Sequence, residues 1–265
     1  MKIGVFDSGL GGLLIAKAIR TRFPDLDMLY FGDTLHLPYG NRSPEAIYEY
    51  AHRAIDYMFA HECRLIIVAC NTVSATALRK LQQQYLPVSP WPDRRILGVV
   101  VPTLETAIER GHKKIGLLGT NHTVRSDIYR QELQKLDPEI SITQNAAPLL
   151  VPMIENDGLE WISPILEYYL QPLASADCEC IILGCTHYAL LQDAIQNFIG
   201  RDKTIISQDR IIPEKLADYL MRHPEIMKDI SHSGQARYIV SDLTESYMKA
   251  ASDLYGGSIT IERKE

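Results

Sequence analysis

The sequence predicts an α/β protein of two similar halves, each built on a parallel sheet. Short aliphatic runs alternate with segments of helical periodicity, which is typical of parallel strands joined by crossover helices. Two of the runs end in a cysteine followed by polar residues: LIIVACNT at 65–72 and CIILGCTH at 180–187. Upstream of them, IGVFDSG at 3–9 corresponds to IGLLGTN at 115–121. The similar spacing of the paired segments indicates a duplicated unit, with its two cysteines at equivalent positions.

In the first half, three aliphatic runs are each followed by a helical pattern. The predicted strands and helices alternate in the order 2–6, 13–23, 28–31, 43–61, 65–69 and a helix that begins at Cys70. Ser43-Pro44-Glu45 marks a helix start, because it combines an N-cap residue, a proline at the first helical position and an acid in the first turn. Three prolines mark 86–95 as a linker and a candidate domain boundary.

The second half continues the same alternation and is followed by a short tail. Its predicted strands are 96–101, 114–118, the run before Cys185 and 204–207, and its predicted helices are 103–110, 126–136, one that ends near 170 and one after Cys185. The tail is predicted to contain a helix at 213–222, a strand at 238–240, a helix at 243–254 and a strand at 259–262. We therefore expect one domain of residues 1–95 and 209–265, and a second of residues 96–208.

The composition is that of an ordinary globular protein: of the 265 residues, 46% are hydrophobic and 23% are charged. No apolar run approaches the roughly 20 residues of a membrane span. A strand directly after Met1 leaves no room for a signal peptide. The five cysteines form no disulfide framework, so we expect a reduced, cytoplasmic setting. A net charge of −6 without a basic run argues against nucleic acid as a partner.

Cys70 and Cys185 are candidate functional groups because of their positions. In open α/β sheets ligands bind at the carboxyl ends of the strands, and a helix N-terminus favours an anion and lowers the pKa of a thiol. We therefore expect a small molecule between two thiols of lowered pKa. A single cysteine after a strand is more often a packed apolar residue, but two at matching positions favour a function. Cys63, Cys178 and Cys180 are expected to be structural.

Metal and nucleotide sites find weaker support in the sequence. Cys178-x-Cys180 and Cys185-x-His187 lack the spacing of zinc ligands, so we expect no metal. The turn Gly9-x-Gly11-Gly12 fails the dinucleotide fingerprint, because Leu14 occupies the third glycine position. Asp33 lies about where a ribose partner would be, so a nucleotide-linked enzyme remains an alternative.

Four motifs occur in a distinctive order: DSGLGG at 7–12, GDTLHLPYG at 32–40, ACNT at 69–72 and GCTHY at 184–188. Together they resemble the glutamate racemases, a family of the cofactor-independent aspartate/glutamate racemase superfamily, and the resemblance extends over essentially the whole chain. It implies two Rossmann-like or flavodoxin-like α/β domains related by pseudo-twofold symmetry, with the active site in the cleft between them. It also implies interconversion of L- and D-glutamate without a metal or an organic cofactor.

The resemblance assigns roles to individual residues. It implies that Cys70 deprotonates D-glutamate and Cys185 deprotonates L-glutamate, while the opposite thiol delivers a proton. Asp7 and His187 are implied to assist these thiols, and Glu155 to lie near the second. From its position alone, Asp7 is equally suited to capping the turn after the first strand. The residues implied to contact the substrate are Asp7, Ser8, Tyr39, Gly40, Asn71, Thr72, Thr186 and His187.

The same resemblance implies a cellular role for the protein, and some alternative functions remain open. It implies a cytoplasmic bacterial homodimer that supplies D-glutamate for peptidoglycan and binds neither nucleic acid nor a membrane. The lack of an extension before the first strand predicts activity without a cell-wall precursor. The alternatives are an aspartate racemase of the same superfamily and a non-catalytic amino-acid-binding protein. A one-cysteine decarboxylase is a further alternative, which the presence of both cysteines disfavours.

Overall fold

The computed structural model describes residues 1–265 and contains two parallel sheets. The first has six strands in the order β10-β9-β2-β1-β3-β4, and the second has four in the order β6-β5-β7-β8. In chain order the strands are β1 Lys2–Asp7, β2 Met28–Gly32, β3 Cys63–Val68, β4 Arg95–Gly98, β5 Lys114–Gly119, β6 Ser141–Ala146, β7 Cys180–Gly184, β8 Thr204–Ile206, β9 Ala236–Val240 and β10 Ile261–Arg263. The predicted α/β class with parallel sheets is confirmed.

Helices follow most strands and cover both sheets. They are α1 Leu13–Arg22, α2 Pro44–Ala60, α3 Asn71–Thr76, α4 Leu78–Lys80, α5 Val100–Glu109, α6 Asn121–Arg125, α7 Ile128–Leu136, α8 Leu150–Glu155, α9 Ile162–Ser175, α10 Gln192–Ile199, α11 Gln208–Arg222, α12 Pro224–Asp229 and α13 Glu245–Tyr255. The predicted start of α2 is confirmed, because the Ser43 hydroxyl accepts a hydrogen bond from the Ala46 backbone N–H at 3.2 Å. No helix of the chain has both the length and the apolar character needed to cross a bilayer.

Alternation along the strands gives each sheet two buried faces. Val5 of β1 belongs to an apolar cluster of 36 buried residues, whereas its neighbour Phe6 belongs to a second cluster packed against α2. Successive side chains of a strand point to opposite faces, so both faces of β1 are covered. The 36-residue cluster also contains Leu117 of β5 and Ile182 of β7. The two sheets therefore share one apolar core.

The register of the strands determines which strand ends become neighbours. In the first sheet β1 lies between β2 and β3, with Phe6 opposite Val68. In the second sheet β5 lies between β6 and β7, with Gly119 opposite Gly184. Because all these pairs are parallel, the segments that follow β1 and β3 meet at one sheet edge. The segments that follow β5 and β7 meet at the corresponding edge of the other sheet.

The structure corrects several sequence-based boundaries. β4, expected to open the second domain, pairs with β3 in the first sheet. β6 was not predicted, because its sequence SITQNA is polar and it lies at a sheet edge with only Ile142 buried. The helix after Cys185 begins as a 3-10 segment, Thr186–Leu191, before α10. The domain limits at residues 95 and 208 stay a prediction.

Candidate active site

The carboxyl ends of both sheets face one cavity of about 70 Å³. Its wall contains both cysteines at the predicted strand ends, Cys70 after β3 and Cys185 after β7. Six further residues predicted to contact a substrate lie in the wall together with His187: Ser8, Tyr39, Gly40, Asn71, Thr72 and Thr186. A larger cavity of about 300 Å³ lies among α4, α5, α7 and α11 and contains neither cysteine. The smaller cavity is therefore the candidate active site.

Cys70 is buried, with 6% of its surface exposed, and its sulfur lies 3.1 Å from the Ser8 hydroxyl. Burial raises the pKa of the Cys70 thiol to about 12, and the negative charge of Asp7 adds to the increase. Ser8 and the Val73 backbone N–H oppose the increase but do not cancel it. The prediction of a lowered thiol pKa is therefore wrong for Cys70. Sequence position indicated the helix start, but not the apolar surroundings or the buried carboxylate.

Asp7 ends β1 and is fully buried behind the cavity wall. Its Oδ2 atom accepts hydrogen bonds from the backbone N–H groups of Gly9 and Gly12, each at 3.1 Å. Its Oδ1 atom lies 3.4 Å from the Thr186 hydroxyl, which donates to it from the other sheet. Burial raises the pKa of Asp7, although His187 and the two N–H groups lower it in part. Asp7 thus caps the turn, as one of its two interpretations predicted, and also contacts the second half.

Cys185 and His187 form a second group in the wall of the same cavity. The Cys185 sulfur lies 3.9 Å from His187 Nδ1, and His187 Nε2 lies 2.9 Å from Glu155 Oε1. His187 Nε2 and Glu155 Oε1 are close but not aligned for a hydrogen bond, so their contact is an ion pair without a directed bond. Burial lowers the pKa of His187, but Cys185 and Glu155 outweigh it and raise the pKa well above its usual value. These two neighbours therefore favour the protonated, cationic form of His187.

A glycine allows the two groups to approach each other. A Cβ atom added at Gly11 would overlap the Thr186 hydroxyl and would lie 2.6 Å from His187 Nδ1. Cβ atoms do not come so close to other heavy atoms, so this turn of the first half can pack on residues 186–187 only with glycine at position 11. The Gly9-x-Gly11-Gly12 turn thus has a packing role at the boundary between the halves.

The remaining predicted residues complete the wall with neutral polar groups. The Thr72 hydroxyl lies 3.1 Å from the Thr120 hydroxyl of the second half. Tyr39 donates a 2.6 Å hydrogen bond to Asp33, which also accepts from Ser241 and contacts His36. Asp33 is buried by these partners and lies outside the cavity wall. Its position therefore does not support the nucleotide-linked alternative.

The residues that sequence reasoning missed include Thr120 and Tyr188 in the wall and Gln208 next to it. Thr120 comes directly after β5, and Asp7 is the last residue of β1. The internal repeat therefore places the two residues at similar positions, which could have indicated Thr120 as a site residue. Tyr188 is buried and donates a 2.8 Å hydrogen bond to the Ala147 carbonyl, which fixes the segment after Cys185. The sequence contains no local signal for Gln208. No group of three or more histidine, cysteine, aspartate or glutamate side chains is arranged to hold a metal ion.

The fold and the paired thiols define a member of a racemase family. The family model described as Asp/Glu/Hydantoin racemase matches residues 14–208, and the chain belongs to this family. A glutamate racemase of Ruegeria sp. (strain TM1040) is 35% identical over 275 aligned residues, which cover 99% of each chain. The crystal structure of a glutamate racemase isoform from Bacillus anthracis matches with a TM-score of 0.89 and 29% identity, covering 100% of this chain and 97% of that one. The glutamate racemase of Francisella tularensis, solved in complex with D-glutamate, matches with a TM-score of 0.88, 26% identity and the same coverage.

Proposed function

We propose that this protein is a glutamate racemase in which Cys70 and Cys185 act as the two acid–base groups. The observation that carries the proposal is the placement of two free thiols, from equivalent strand ends of the two sheets, on one small cavity. The choice of glutamate is supported by the relatives, which are named glutamate racemases and align over nearly the whole chain. Inversion at Cα requires a base on one face of the substrate and an acid on the other, which two thiols in the wall of one cavity can supply.

In the proposed reaction Cys70 takes the α-proton of D-glutamate while Cys185 gives a proton to the opposite face. For L-glutamate the two roles are exchanged. In the resting protein Cys70 is a protonated thiol, since its pKa is raised to about 12. Cys185 instead lies beside the cationic His187. With Cys70 protonated, the acid that the reaction of L-glutamate needs is already in place.

Asp7, His187 and Glu155 would return the two thiols to their starting protonation states. Burial raises the pKa of Asp7 and so favours its protonated form, from which it can supply a proton near Cys70. His187 can exchange a proton with Cys185 through Nδ1, while Glu155 balances the charge of its ring. A thiolate in a dry cavity is a stronger base than one in water, because burial penalises its charge. The substrate ammonium would supply positive charge next to that thiolate.

Substrate recognition is proposed to rely on neutral donors, because no lysine or arginine lies in the cavity wall. The hydroxyl groups of Ser8, Thr72 and Thr186 and the amide of Asn71 can bind carboxylates and an ammonium group. The Tyr39 hydroxyl already donates a hydrogen bond to Asp33. We therefore propose that Tyr39 and Gly40 bind the substrate through their backbone N–H groups.

The proposal extends to the cell. We infer that the enzyme acts as a homodimer in a bacterial cytoplasm and supplies D-glutamate for peptidoglycan. The relatives that support this setting are bacterial. The one-cysteine decarboxylase is disfavoured, because both thiols lie on the cavity. The aspartate racemase and the non-catalytic binding protein remain as rivals that one experiment can separate.

That experiment is proton NMR of the purified protein with L-glutamate, D-glutamate or either enantiomer of aspartate in D2O, without added cofactor or precursor. We expect the α-proton signal of glutamate to disappear and the opposite enantiomer to form, whichever enantiomer is supplied. Exchange with aspartate at a rate equal to or above that with glutamate would identify the sister enzyme instead. Binding of glutamate without any exchange at Cα would identify an amino-acid-binding protein.

A further inference from the structure

The side chain next to Cys70 is held by two residues that no motif indicated. Asn71 and Gln208 form a reciprocal amide pair: Asn71 Nδ2 donates to Gln208 Oε1 and Gln208 Nε2 donates to Asn71 Oδ1, both at 2.8 Å. The Tyr129 hydroxyl donates to the same Asn71 Oδ1 at 2.7 Å and lies 3.2 Å from Gln208 Nε2. All three side chains are buried.

These contacts determine which way the Asn71 amide faces. Rotation of this amide alone by half a turn would place its NH2 group against the NH2 group of Gln208 and its oxygen against the Gln208 oxygen. A buried amide in that orientation would lose its partners, which is costly. Burial raises the pKa of Tyr129, so its hydroxyl keeps the proton that it donates. One N–H of Asn71 is therefore the only polar function of this side chain that remains for a ligand.

The network also joins the two halves of the protein. Asn71 begins α3 directly after Cys70, while Gln208 begins α11 after β8 and Tyr129 lies on α7 of the second half. One helical turn further along α7, Glu132 forms an ion pair with Arg79 of α4. The same face of α7 thus makes two separate contacts with the first half. Only the contact through Tyr129 reaches the residue beside the thiol.

We infer that Gln208 and Tyr129 are positioning residues, which orient Asn71 so that it presents an N–H donor to the cavity and which fix the backbone that carries Cys70. The group that this donor recognises must be a hydrogen-bond acceptor, so we assign it a carboxylate of the substrate rather than its ammonium. This assignment of the ligand group rests on the proposed function. The placement of Cys70 by the network does not depend on which ligand binds.

The test measures alkylation of Cys70 by iodoacetamide, followed by peptide mass spectrometry with Cys185 as an internal reference. Racemic glutamate is added at increasing concentration, and the concentration that halves the alkylation rate reports binding without a need for turnover. The variants are Gln208→Leu, which removes both bonds to Asn71 at similar volume, and Tyr129→Phe, which removes one donor. Glu132→Gln is the matched control, because it weakens the other contact of α7 and leaves the amide pair intact.

We expect Gln208→Leu to raise the half-protecting concentration about tenfold, which corresponds to about 1.4 kcal/mol in binding. Tyr129→Phe should change it in the same direction, and Glu132→Gln should leave it within about twofold. Wild-type values for Gln208→Leu and Tyr129→Phe would overturn the inference, as would an equal change in Glu132→Gln. If Gln208→Leu does not fold, the half-protecting concentration measured for Tyr129→Phe alone tests the inference.

A failure of the proposed function is recognised separately. If glutamate does not protect the wild-type protein, glutamate is not the ligand, and positioning is then judged on alkylation without ligand. There we expect the ratio of Cys70 to Cys185 alkylation to change at least about threefold in Gln208→Leu and not in Glu132→Gln, because only the first variant frees the backbone beside the thiol. An unchanged ratio in Gln208→Leu would overturn the positioning role.

Discussion

The hydroxyl of Thr186 lies 3.4 Å from the carboxylate of Asp7 and donates a hydrogen bond to it across the boundary between the two sheets. Thr186 directly follows Cys185, whereas Asp7 raises the pKa of Cys70. Cys185 is therefore linked through its neighbour Thr186 to Asp7 of the first half. Cys70 is linked through Asp7 to Thr186 of the second half. This link suits a reaction in which the two thiols must always be in opposite protonation states.

Replacement of either cysteine by serine should abolish racemisation and leave the fold intact. A serine hydroxyl fills almost the same volume but is a far weaker acid, so one face of the substrate loses its proton-transfer group. We expect the rate to fall at least about 10³-fold in Cys70→Ser and in Cys185→Ser, measured by circular dichroism of the amino acid. Cys178→Ser, which lies outside the cavity wall, is the control and should retain activity. Near-wild-type turnover in either cavity variant would exclude the two-thiol mechanism.

Gly11→Ala should damage the site through packing alone. The added methyl group would overlap the Thr186 hydroxyl and lie 2.6 Å from His187 Nδ1, so residues 186–187 must move. We expect a loss of about 1–3 kcal/mol in the free energy of unfolding, as for other overpacked sites, together with a loss of activity of at least about tenfold. Denaturant unfolding and the racemisation rate measure the two effects.

Gly257→Ala is the matched control for this substitution. No atom lies within 4 Å of a Cβ atom added there, so stability and activity should be unchanged. Equal behaviour of the two variants would show that the boundary between the halves tolerates a side chain at position 11.

The ion pair between His187 and Glu155 should make stability depend on pH. The pKa of His187 is raised in the folded state, so its contribution is fully present below the unfolded value of about 6.5 and is lost as pH rises through the folded pKa. In Glu155→Gln this contribution is reduced. The melting temperature of the wild type should therefore fall more steeply above pH 6.5 than that of Glu155→Gln.

The control for the pH experiment is Asp157→Asn. This exposed acid pairs with Lys249 and does not contact His187, so its variant should follow the wild-type pH profile. Parallel profiles for the wild type and Glu155→Gln would show that the pair does not determine the charge of His187.

Cys70 should react with alkylating reagents as a thiol of high pKa. With a pKa of about 12, its thiolate fraction rises about tenfold for each pH unit over the range in which the protein is folded. Alkylation of Cys70, followed by peptide mass spectrometry from pH 7 to pH 10, should rise with that slope and reach no plateau. A plateau with a midpoint below pH 9 would show that Cys70 is already poised as a thiolate without substrate.

The positions of the thiols were predictable from the sequence, but their surroundings were not. A cysteine at the end of a buried aliphatic run lies at the carboxyl edge of a parallel sheet, so the placement of Cys70 and Cys185 on one cavity follows from local pattern and the repeat. The raised pKa of Cys70 depends on burial by segments distant in sequence and on Asp7, which no local pattern reveals. Gln208 reaches Asn71 across 137 residues of sequence, and its position next to β8 gives no hint of that contact.

Strand prediction was most secure where strands are apolar, and it missed the polar strand β6. β7 is a continuous apolar run and β3 is apolar from Leu65 to Val68, because both of their faces are buried. β6 lies at a sheet edge and carries polar side chains, so its sequence lacks the apolar run that marks the others. β4 was assigned to the wrong sheet, because the pairing of a short strand depends on the path of the chain rather than on its residues.

The most direct test of the two-thiol mechanism is the position of deuterium at low conversion in D2O. Starting from L-glutamate, and separately from D-glutamate, the recovered substrate and the product are analysed for deuterium at Cα by mass spectrometry. With separate acid and base groups, we expect the product to carry deuterium and the recovered substrate to keep its proton in both directions. Deuterium that appears in the recovered substrate as fast as in the product would show that one group serves both faces, which would contradict the roles assigned to Cys70 and Cys185.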